Sequence, residues 1–157
     1  MRVVRARAIL FSLLLILPQT ASAGEAPSFS GKDLAGNLHS NGDYRGKHLV
    51  LYFWATWCPG CRQEAESMHA IYERYQSKKG VEFLSVSLDS DRTKLEKAVR
   101  SSDIQYPVLF DGKGWKNKIA TRYRVFSTPT FVIIDPAGEE ATRGSGSRDL
   151  DHLLQKI

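Results

Sequence analysis

The apolar residues of this chain fall into runs of two kinds, one typical of buried strands and one typical of amphipathic helices. The segment from His48 to Trp54 is almost continuously apolar, which predicts a strand buried on both faces near the centre of a sheet. From Pro59 onward, apolar residues recur every three or four positions, at Cys61, Ala65, Met68, Tyr72 and Tyr75. That period predicts a helix with one buried face, which ends at 78–80, where two lysines precede a glycine.

Strands and helices continue to alternate along the rest of the chain. Strands are predicted at 81–88, around 108–110, at 130–134 and, after a turn at 135–138, at 139–143. A helix is predicted after Ser90 or Asp91, either of which can cap it, and another through Trp115 to Tyr123. Ser147 is the expected cap of a last helix that buries Leu150, Leu153, Leu154 and Ile157. Glycine and asparagine between Phe29 and Leu38 indicate a small hairpin. The pattern predicts one α/β domain with helices packed on a partly parallel sheet.

The first 23 residues have the three-part layout of a secretory signal peptide. A basic start is followed by an apolar run at 8–17 and small residues at 21–23, which predicts cleavage before Gly24 and a mature domain at 24–157. The alternative is a retained membrane anchor that leaves the domain facing the periplasm. The apolar run has only about half of the ~20 residues that span a bilayer. We therefore expect an exported, periplasmic protein.

The basic excess of the chain lies mainly in that N-terminal segment. The whole sequence has 22 Lys and Arg against 17 Asp and Glu, a net charge of +5. Without the three arginines of residues 1–23, the balance is 19 against 17, or +2. No dense stripe of Lys and Arg remains, so the composition does not favour a nucleic-acid partner.

Both cysteines of the chain lie in one motif, Cys58-Pro59-Gly60-Cys61. A disulfide across so small a loop stabilises a fold little. Haem attachment needs a histidine directly after the second cysteine, where this chain has Arg62. Structural zinc needs four ligands, whereas the histidines are scattered; a metal held by the pair with His69 or Met68 is the open alternative. The motif therefore indicates disulfide exchange without a metal or other cofactor.

The position of the motif, between a buried strand and a helix, assigns different roles to the two cysteines. If Cys58 caps the helix, Pro59 is its first residue, where a missing N–H costs nothing. The amides of Gly60 and Cys61 then point at the Cys58 sulfur and stabilise its thiolate, the form that attacks a disulfide. Cys58 is thus the expected nucleophile. Cys61, one turn further along on the apolar face, is the expected resolving cysteine.

The segment 53–64, Phe-Trp-Ala-Thr-Trp-Cys-Pro-Gly-Cys-Arg-Gln-Glu, resembles the active-site segment of the TlpA/ResA-like branch of the thioredoxin superfamily. The resemblance extends over nearly all of residues 24–157 and includes the hairpin, the strand that begins at Lys47, and the segment 128–135 with Gly138. It implies a thioredoxin fold, a central mixed sheet flanked by helices, with an added N-terminal β-hairpin. It also implies that the protein is an enzyme, a thiol–disulfide oxidoreductase acting as a disulfide reductase.

The same resemblance implies which residues meet the substrate. Pro129 would be cis and would pack opposite the cysteine pair. Thr128 would offer backbone groups to a substrate segment that adds as a strand. Trp57 would form an apolar contact surface, and Pro59 and Gly60 would shape the substrate groove.

A carboxylate is also implied at the site. Thioredoxin has a buried aspartate on the strand before the motif, and the matching residue here is Tyr52, which does not take up a proton at neutral pH. The resemblance points instead to Glu64, which lies three residues after Cys61 and shares its helix face. Glu64 is the expected proton shuttle; the alternative is a solvated helix glutamate.

The sequence departs from the family pattern at two places, and two further tryptophans are candidates for the site. Ser127 stands where many relatives have glycine, and the dipeptide Pro-Gly is less usual between the cysteines; both would tune the substrate groove. Trp54 fits a core or a site role equally well. Trp115 is expected in the core rather than at the site.

Exported relatives mostly act as reductants that keep apocytochrome c or copper-site cysteines reduced, and a membrane thiol-transfer protein recharges them. The Pro-Gly dipeptide lacks the histidine of strong oxidants such as the DsbA type, which favours the same direction here. One alternative is a copper-handling thioredoxin-fold protein without turnover. Another is a peroxiredoxin-like peroxidase, for which Thr56 would be a poor substitute for the required threonine. The sequence predicts protein disulfides as substrates and does not predict an oligomeric state.

Overall fold

The computed structural model describes residues 24–78 and 80–157. The predicted signal peptide at 1–23, its cleavage, and the predicted role of Lys79 at a helix end lie outside this range. The described residues form strands β1 Ser30–Lys32, β2 Leu38–Ser40, β3 His48–Trp54, β4 Val81–Ser87, β5 Val108–Leu109, β6 Thr130–Ile134 and β7 Glu140–Gly144, helices α1 Pro59–Tyr75, α2 Arg92–Ser101, α3 Lys118–Arg122 and α4 Ser147–Leu154, and 3₁₀ turns at Asn41–Tyr44 and Gly114–Lys116. None of the helices in the described ranges has the length and apolar character needed to cross a bilayer.

The centre of the fold is a five-stranded mixed sheet with the order β5-β4-β3-β6-β7. β3 lies in the middle, parallel to β4 and antiparallel to β6, and its residues 49–54 are all buried. β5 pairs in parallel with β4, and β7 pairs in antiparallel with β6. β1 and β2 form a separate antiparallel hairpin. The predicted fold, a mixed sheet flanked by helices with an N-terminal hairpin, is confirmed.

Alternate side chains of β3 face two different layers of helices, as the pleat of a strand requires. Tyr52 and Trp54 lie on the face covered by α1 and α2, where they line a cavity shared with both helices. Phe53 lies on the opposite face, where its ring centroid is 5.9 Å from that of Tyr123, the residue after α3. β3 thus anchors the loop at 55–58, which leads from the sheet directly into α1.

The observed ends of the helices agree only in part with the ends predicted from the sequence. Asp91 caps α2 by accepting a hydrogen bond from the backbone N–H of Lys94 at 3.0 Å, as expected. Ser147 is the first residue of α4 and not its cap, because Gly146, at φ 89°, occupies the capping position. The prediction for Ile157 was wrong as well: it lies beyond the end of α4 and is 54% exposed.

Candidate active site

Cys58 and Cys61 form a disulfide with their Cα atoms 5.3 Å apart. Cys58 occupies the capping position of α1 in an extended conformation, and Pro59 is the first residue of the helix. The backbone N–H of Cys61 points at the Cys58 sulfur, with 3.1 Å between nitrogen and sulfur. A donor at the start of a helix stabilises negative charge on that sulfur. The expected capping position of Cys58 and the Cys61 donor are therefore present, whereas no bond from the expected second donor, the Gly60 N–H, is formed among the described residues.

The exposure of the two cysteines does not distinguish them. Cys58 is 3% exposed and Cys61 is 5% exposed. Their surroundings differ instead: the Cys58 sulfur faces the loop before β6, whereas Cys61 lies within α1 and lines the cavity between α1 and α2. The Cys58 sulfur is therefore the one in contact with the loop before β6.

The loop before β6 lies directly against the cysteine pair. The Thr128–Pro129 peptide bond is cis. The carbonyl oxygen of Thr128 lies 3.4 Å from the Cys58 sulfur. A Cβ atom at Gly60 would be 3.3 Å from Cδ of Pro129, so glycine allows close packing of the helix start against the proline. Further along, the Ser145 hydroxyl donates to the Pro129 carbonyl oxygen at 2.7 Å and so links the loop to the segment after β7.

Glu64 makes a contact that its position on α1 does not predict. The side chain is half-buried, and its Oε2 accepts a hydrogen bond from the backbone N–H of Ser147 at 3.1 Å. A Cβ atom at Gly146 would lie 3.0 Å from Glu64 Oε1, so this glycine leaves room for the carboxylate. Glu64 therefore supplies the hydrogen bond that α4 does not obtain from a capping side chain of its own.

Asp89, which the sequence analysis did not single out, holds the loop before the cysteines. It is 3% exposed. Its carboxylate accepts hydrogen bonds from the Thr56 backbone N–H at 3.1 Å, the Thr56 hydroxyl at 2.6 Å and the Ser87 hydroxyl at 2.8 Å. These bonds connect the end of β4 to the β3–α1 loop. The available signal was an acidic residue just past the carboxyl end of a buried strand beside β3.

Three aromatic side chains near the motif are exposed to solvent. Trp57 and Trp115 are each 47% exposed, and their ring centroids lie 5.7 Å apart. Phe126, two residues before Thr128, is 86% exposed. The expectation that Trp115 belongs to the core was wrong, because the 3₁₀ turn at 114–116 carries it onto the surface beside Trp57. Trp54 belongs to the core, where its Nε1 donates to the Ser85 hydroxyl at 3.2 Å.

Behind Cys61, a cavity of about 170 Å³ lies between α1, α2 and β3. Met68 and His69, which the sequence suggested as metal ligands, line this cavity together with Cys61. Among residues 24–78 and 80–157, no three His, Cys, Asp or Glu side chains are grouped closely enough to hold a metal ion.

Tyr52 also lines the cavity, at the position where thioredoxin has its buried aspartate. Its hydroxyl is buried and has no hydrogen-bond partner within the described part of the chain. Burial, with smaller contributions from Tyr106 and Glu64, raises the pKa of Tyr52 above its ordinary value. Tyr52 therefore stays neutral at neutral pH and does not serve as a proton acceptor for Cys61.

A cysteine pair at the start of a helix, opposite a proline loop on this sheet, defines a thioredoxin-type thiol–disulfide oxidoreductase. The model of the AhpC/TSA family matches residues 23–139. The thiol-disulfide oxidoreductase ResA of Geobacillus kaustophilus is 33% identical over 140 residues, 87% of this chain and 78% of that protein. The thioredoxin-like protein YneN of Bacillus subtilis is 41% identical over 137 residues, 85% of this chain and 76% of that protein.

The solved structures agree with these relatives. A thiol-disulfide oxidoreductase from Bacteroides fragilis superposes with a TM-score of 0.77 at 26% identity, covering 85% of this chain and all of that one. The chain therefore belongs to the AhpC/TSA family, within which it is a ResA-like thiol–disulfide oxidoreductase.

Proposed function

We propose that this oxidoreductase is an exported reductant of protein disulfides, with Cys58 as nucleophile and Cys61 as resolving cysteine. The observation that carries the proposal is the setting of the Cys58 sulfur, which receives the Cys61 N–H at 3.1 Å and lies 3.4 Å from the Thr128 carbonyl oxygen. The first contact favours the thiolate. The second brings substrate backbone and nucleophile together. The Pro-Gly dipeptide adds no charge that would favour the reduced pair, which supports the reducing direction.

The reaction passes two electrons from the dithiol to the substrate. The Cys58 thiolate attacks one sulfur of the substrate disulfide, and the other substrate sulfur leaves as a thiolate. The Cys61 thiol then loses its proton and attacks the Cys58 sulfur, which releases the second substrate sulfur and forms the Cys58–Cys61 disulfide. Both substrate thiolates are protonated. A dithiol donor in the membrane returns the pair to the reduced state.

The substrate segment binds along the loop before β6. Thr128 offers its backbone groups in the manner of an added strand, while Pro129 and Gly60 form the floor of the groove beside the sulfur. Trp57, at 47% exposure, supplies apolar contact area next to the nucleophile.

Glu64 has a catalytic role in this proposal in addition to its bond to Ser147. It lies one turn after Cys61 on α1, so water at the half-buried carboxylate can carry the proton that Cys61 must lose before it attacks. The bond to the Ser147 N–H at 3.1 Å holds the carboxylate at the start of α4, so the proposed transfer to Cys61 passes through water.

The proposed place of action is the periplasm, after removal of residues 1–23. The basic, apolar and small-residue parts of that segment support export. The proposed clients are cysteine pairs that an oxidising compartment would close before use, such as those of apocytochrome c or of copper sites.

The peroxidase alternative receives less support. A peroxidase of this superfamily needs a threonine close to the reactive cysteine, but the Thr56 hydroxyl donates to the buried Asp89 at 2.6 Å. That bond uses the hydroxyl proton that would otherwise be donated to a peroxide. The rate of peroxide consumption by the reduced protein tests this alternative directly.

The deciding experiment is the reduction potential of the Cys58–Cys61 pair in the protein 24–157, measured by equilibration with glutathione. A value near that of thioredoxin, about −270 mV, supports a reductant. A value near that of DsbA, about −120 mV, would make the protein a disulfide donor and overturn the proposed direction. Copper titration of the same samples tests the non-catalytic alternative, which requires tight binding together with negligible disulfide reduction.

A further inference from the structure

Five large apolar residues are exposed in the described part of the chain: Leu38, Trp57, Trp115, Phe126 and Ile157. Three of them belong to the segments that build the active site. Isolated exposed apolar residues are ordinary, but a group of them marks a surface for interaction.

The three aromatic residues lie on three chain segments: the β3–α1 loop, the 3₁₀ turn at 114–116 and the loop before β6. Trp57 directly precedes Cys58, and its ring lies 5.7 Å from that of Trp115. Phe126, 86% exposed, is two residues from Thr128, whose carbonyl oxygen lies 3.4 Å from the Cys58 sulfur. Aromatic rings supply large contact areas with few rotatable bonds, which is why they dominate the energetics of binding surfaces.

Exposed cations accompany these rings. Lys113 and Lys116 stand on either side of Gly114-Trp115, and Arg62 follows Cys61. Within the described part of the chain, none of these three side chains has an acidic partner within 4.0 Å. Their positive charge is therefore not neutralised by a local ion pair.

The acidic groups nearby are occupied. Asp111 is the only acidic residue in the segment 111–127, and its carboxylate accepts hydrogen bonds from the backbone N–H groups of Lys113 and Lys118 at 3.0 and 3.3 Å. Glu64 accepts from Ser147, at the start of α4. The segment 111–118 has three lysines against this one aspartate, so the face that carries Trp115 has a net positive charge.

We infer that Trp57, Trp115 and Phe126 with Arg62, Lys113 and Lys116 form one docking surface that selects extended polypeptide segments whose disulfide is flanked by apolar and acidic side chains. This inference rests on the proposed function, because it names the substrate class of the same site. The substrate is an extended segment because the Cys58 sulfur, in a residue only 3% exposed, is reached along the loop at Thr128. The rings bury the apolar side chains, and the exposed cations attract the acidic ones over several ångströms.

The test uses three peptides of equal length, each closed by one disulfide, with identical residues inside the ring. The flanking residues are Leu and Glu in the first peptide, Leu and Lys in the second, and Ser and Gly in the third. The reduced protein is mixed with each peptide in a single-turnover reaction, stopped with acid and analysed by chromatography. At 20 mM salt, we expect the Leu/Glu peptide to be reduced about tenfold faster than the Leu/Lys peptide. At 500 mM salt this ratio should fall below about twofold, since salt screens exposed charges.

Matched variants assign each preference to its residues. Lys116→Glu should lower the ratio of Leu/Glu to Leu/Lys rates at least about threefold, whereas Lys97→Glu, the same charge change at an exposed site on α2, should leave the ratio unchanged. Phe126→Ala should lower the preference for Leu/Glu over Ser/Gly, whereas Leu38→Ala on the N-terminal hairpin should not. Each measurement is a ratio within one variant, so a change in the reactivity of Cys58 cancels.

Equal rates for the three peptides, or a preference for the Leu/Lys peptide, would overturn the docking surface while leaving the proposed reductase intact. The same holds if Lys97→Glu changes the charge preference as much as Lys116→Glu does. Failure to reduce any of the peptides, by protein whose pair is verified as reduced, would overturn the proposed function and this inference with it.

Discussion

The Glu64 carboxylate accepts a hydrogen bond from the backbone N–H of Ser147, which places a side chain of α1 at the first turn of α4. This contact joins residues 83 positions apart and gives Glu64 a structural role that is separate from its proposed catalytic one. A carboxylate at a helix start satisfies a free N–H and interacts favourably with the helix dipole. The two roles predict different consequences of substitution.

Replacing Glu64 with alanine should lower the free energy of unfolding by about 1 kcal/mol, because α4 loses its only described side-chain cap. Glu64→Gln should cost less, since the amide oxygen can still accept the Ser147 N–H. Guanidinium unfolding of both variants measures the difference. Glu66→Ala, an exposed position on the same helix, is the control. An equal, small effect of Glu64→Ala and Glu66→Ala would contradict the capping role.

The proton-shuttle role is tested by the pH dependence of disulfide reduction. Glu64→Gln removes the group that accepts a proton but keeps the bond to Ser147, so the fold at the start of α4 is preserved. We expect the pH profile of the single-turnover rate to shift near neutrality and the rate at neutral pH to fall about tenfold or more. A variant with an unchanged profile would leave Glu64 as a structural residue only.

The assignment of nucleophile and resolving cysteine is tested by trapping. Cys61→Ser leaves Cys58 with its N–H donor and its approach from Thr128, so mixed disulfides with substrates should accumulate. Cys58→Ser leaves only the sulfur that lies within α1, and should trap none. Non-reducing electrophoresis followed by mass spectrometry detects the adducts. If both variants trapped mixed disulfides to a comparable extent, the assignment of Cys58 as nucleophile and Cys61 as resolving cysteine would be wrong.

Asp89 should be as important for stability as a core residue, because its buried carboxylate accepts hydrogen bonds from Thr56 and Ser87. Replacing it with asparagine turns one acceptor into a donor and leaves the Thr56 N–H or hydroxyl without its partner. The expected loss is about 1–3 kcal/mol in the free energy of unfolding, with a slower reaction at Cys58 because the loop before it is no longer held. Denaturant unfolding and single-turnover rates of Asp89→Asn measure the two effects. Thr56→Val removes one of the same bonds and should lower the free energy of unfolding less than Asp89→Asn does. A larger loss would mean that Thr56, and not Asp89, is the main residue that holds the loop.

The sequence predicted those parts of the fold that depend on local period. The apolar run of β3 and the three- and four-residue spacing of α1 arise from neighbours along the chain. Both elements formed, although α1 ends at Tyr75 and not at the expected 78–80. The contacts of the site that were missed join distant segments: Glu64 with Ser147, Asp89 with Thr56, and Trp57 with Trp115. A local pattern can point to a position, as the place of Asp89 just past β4 does, but it does not name the partner, because a half-buried carboxylate and a solvated one look alike in sequence.

The errors in the sequence analysis have physical causes of the same kind. Trp115 occurs at helical spacing from Ile119 and Tyr123, which imitates the buried face of one helix. The structure divides that segment into a 3₁₀ turn and α3, so the spacing no longer keeps the tryptophan inward. In the sequence, Ile157 continues the three- and four-residue spacing of the apolar residues of α4, but the helix ends at Leu154. The apolar repeat of a helix predicts which residues are buried only among the residues that form the helix.

The Tyr52 hydroxyl is buried without a hydrogen-bond partner in the described residues. Removing a buried polar group that lacks a partner should be neutral or stabilise by up to about 1 kcal/mol at pH 7, so Tyr52→Phe should unfold at an equal or higher guanidinium concentration. Tyr44→Phe is the contrasting control, because the Tyr44 hydroxyl lies 2.7 Å from the His39 ring nitrogen; its loss should destabilise by about 1 kcal/mol.

Above about pH 10, the difference in stability between the wild type and Tyr52→Phe should depend on pH, which a difference in packing alone would not produce. Burial raises the pKa of Tyr52 in the folded state, whereas the unfolded chain ionises near the ordinary value of about 10. The difference in pKa therefore adds no cost to stability below about pH 10, and above that pH the unfolded state is favoured because it loses the proton more easily. The wild type should lose up to about 1.4 kcal/mol per pH unit above pH 10 relative to Tyr52→Phe. Unfolding of both proteins at pH 8, 10 and 11 measures this difference. Parallel curves would mean that the hydroxyl ionises in the folded protein as easily as in water.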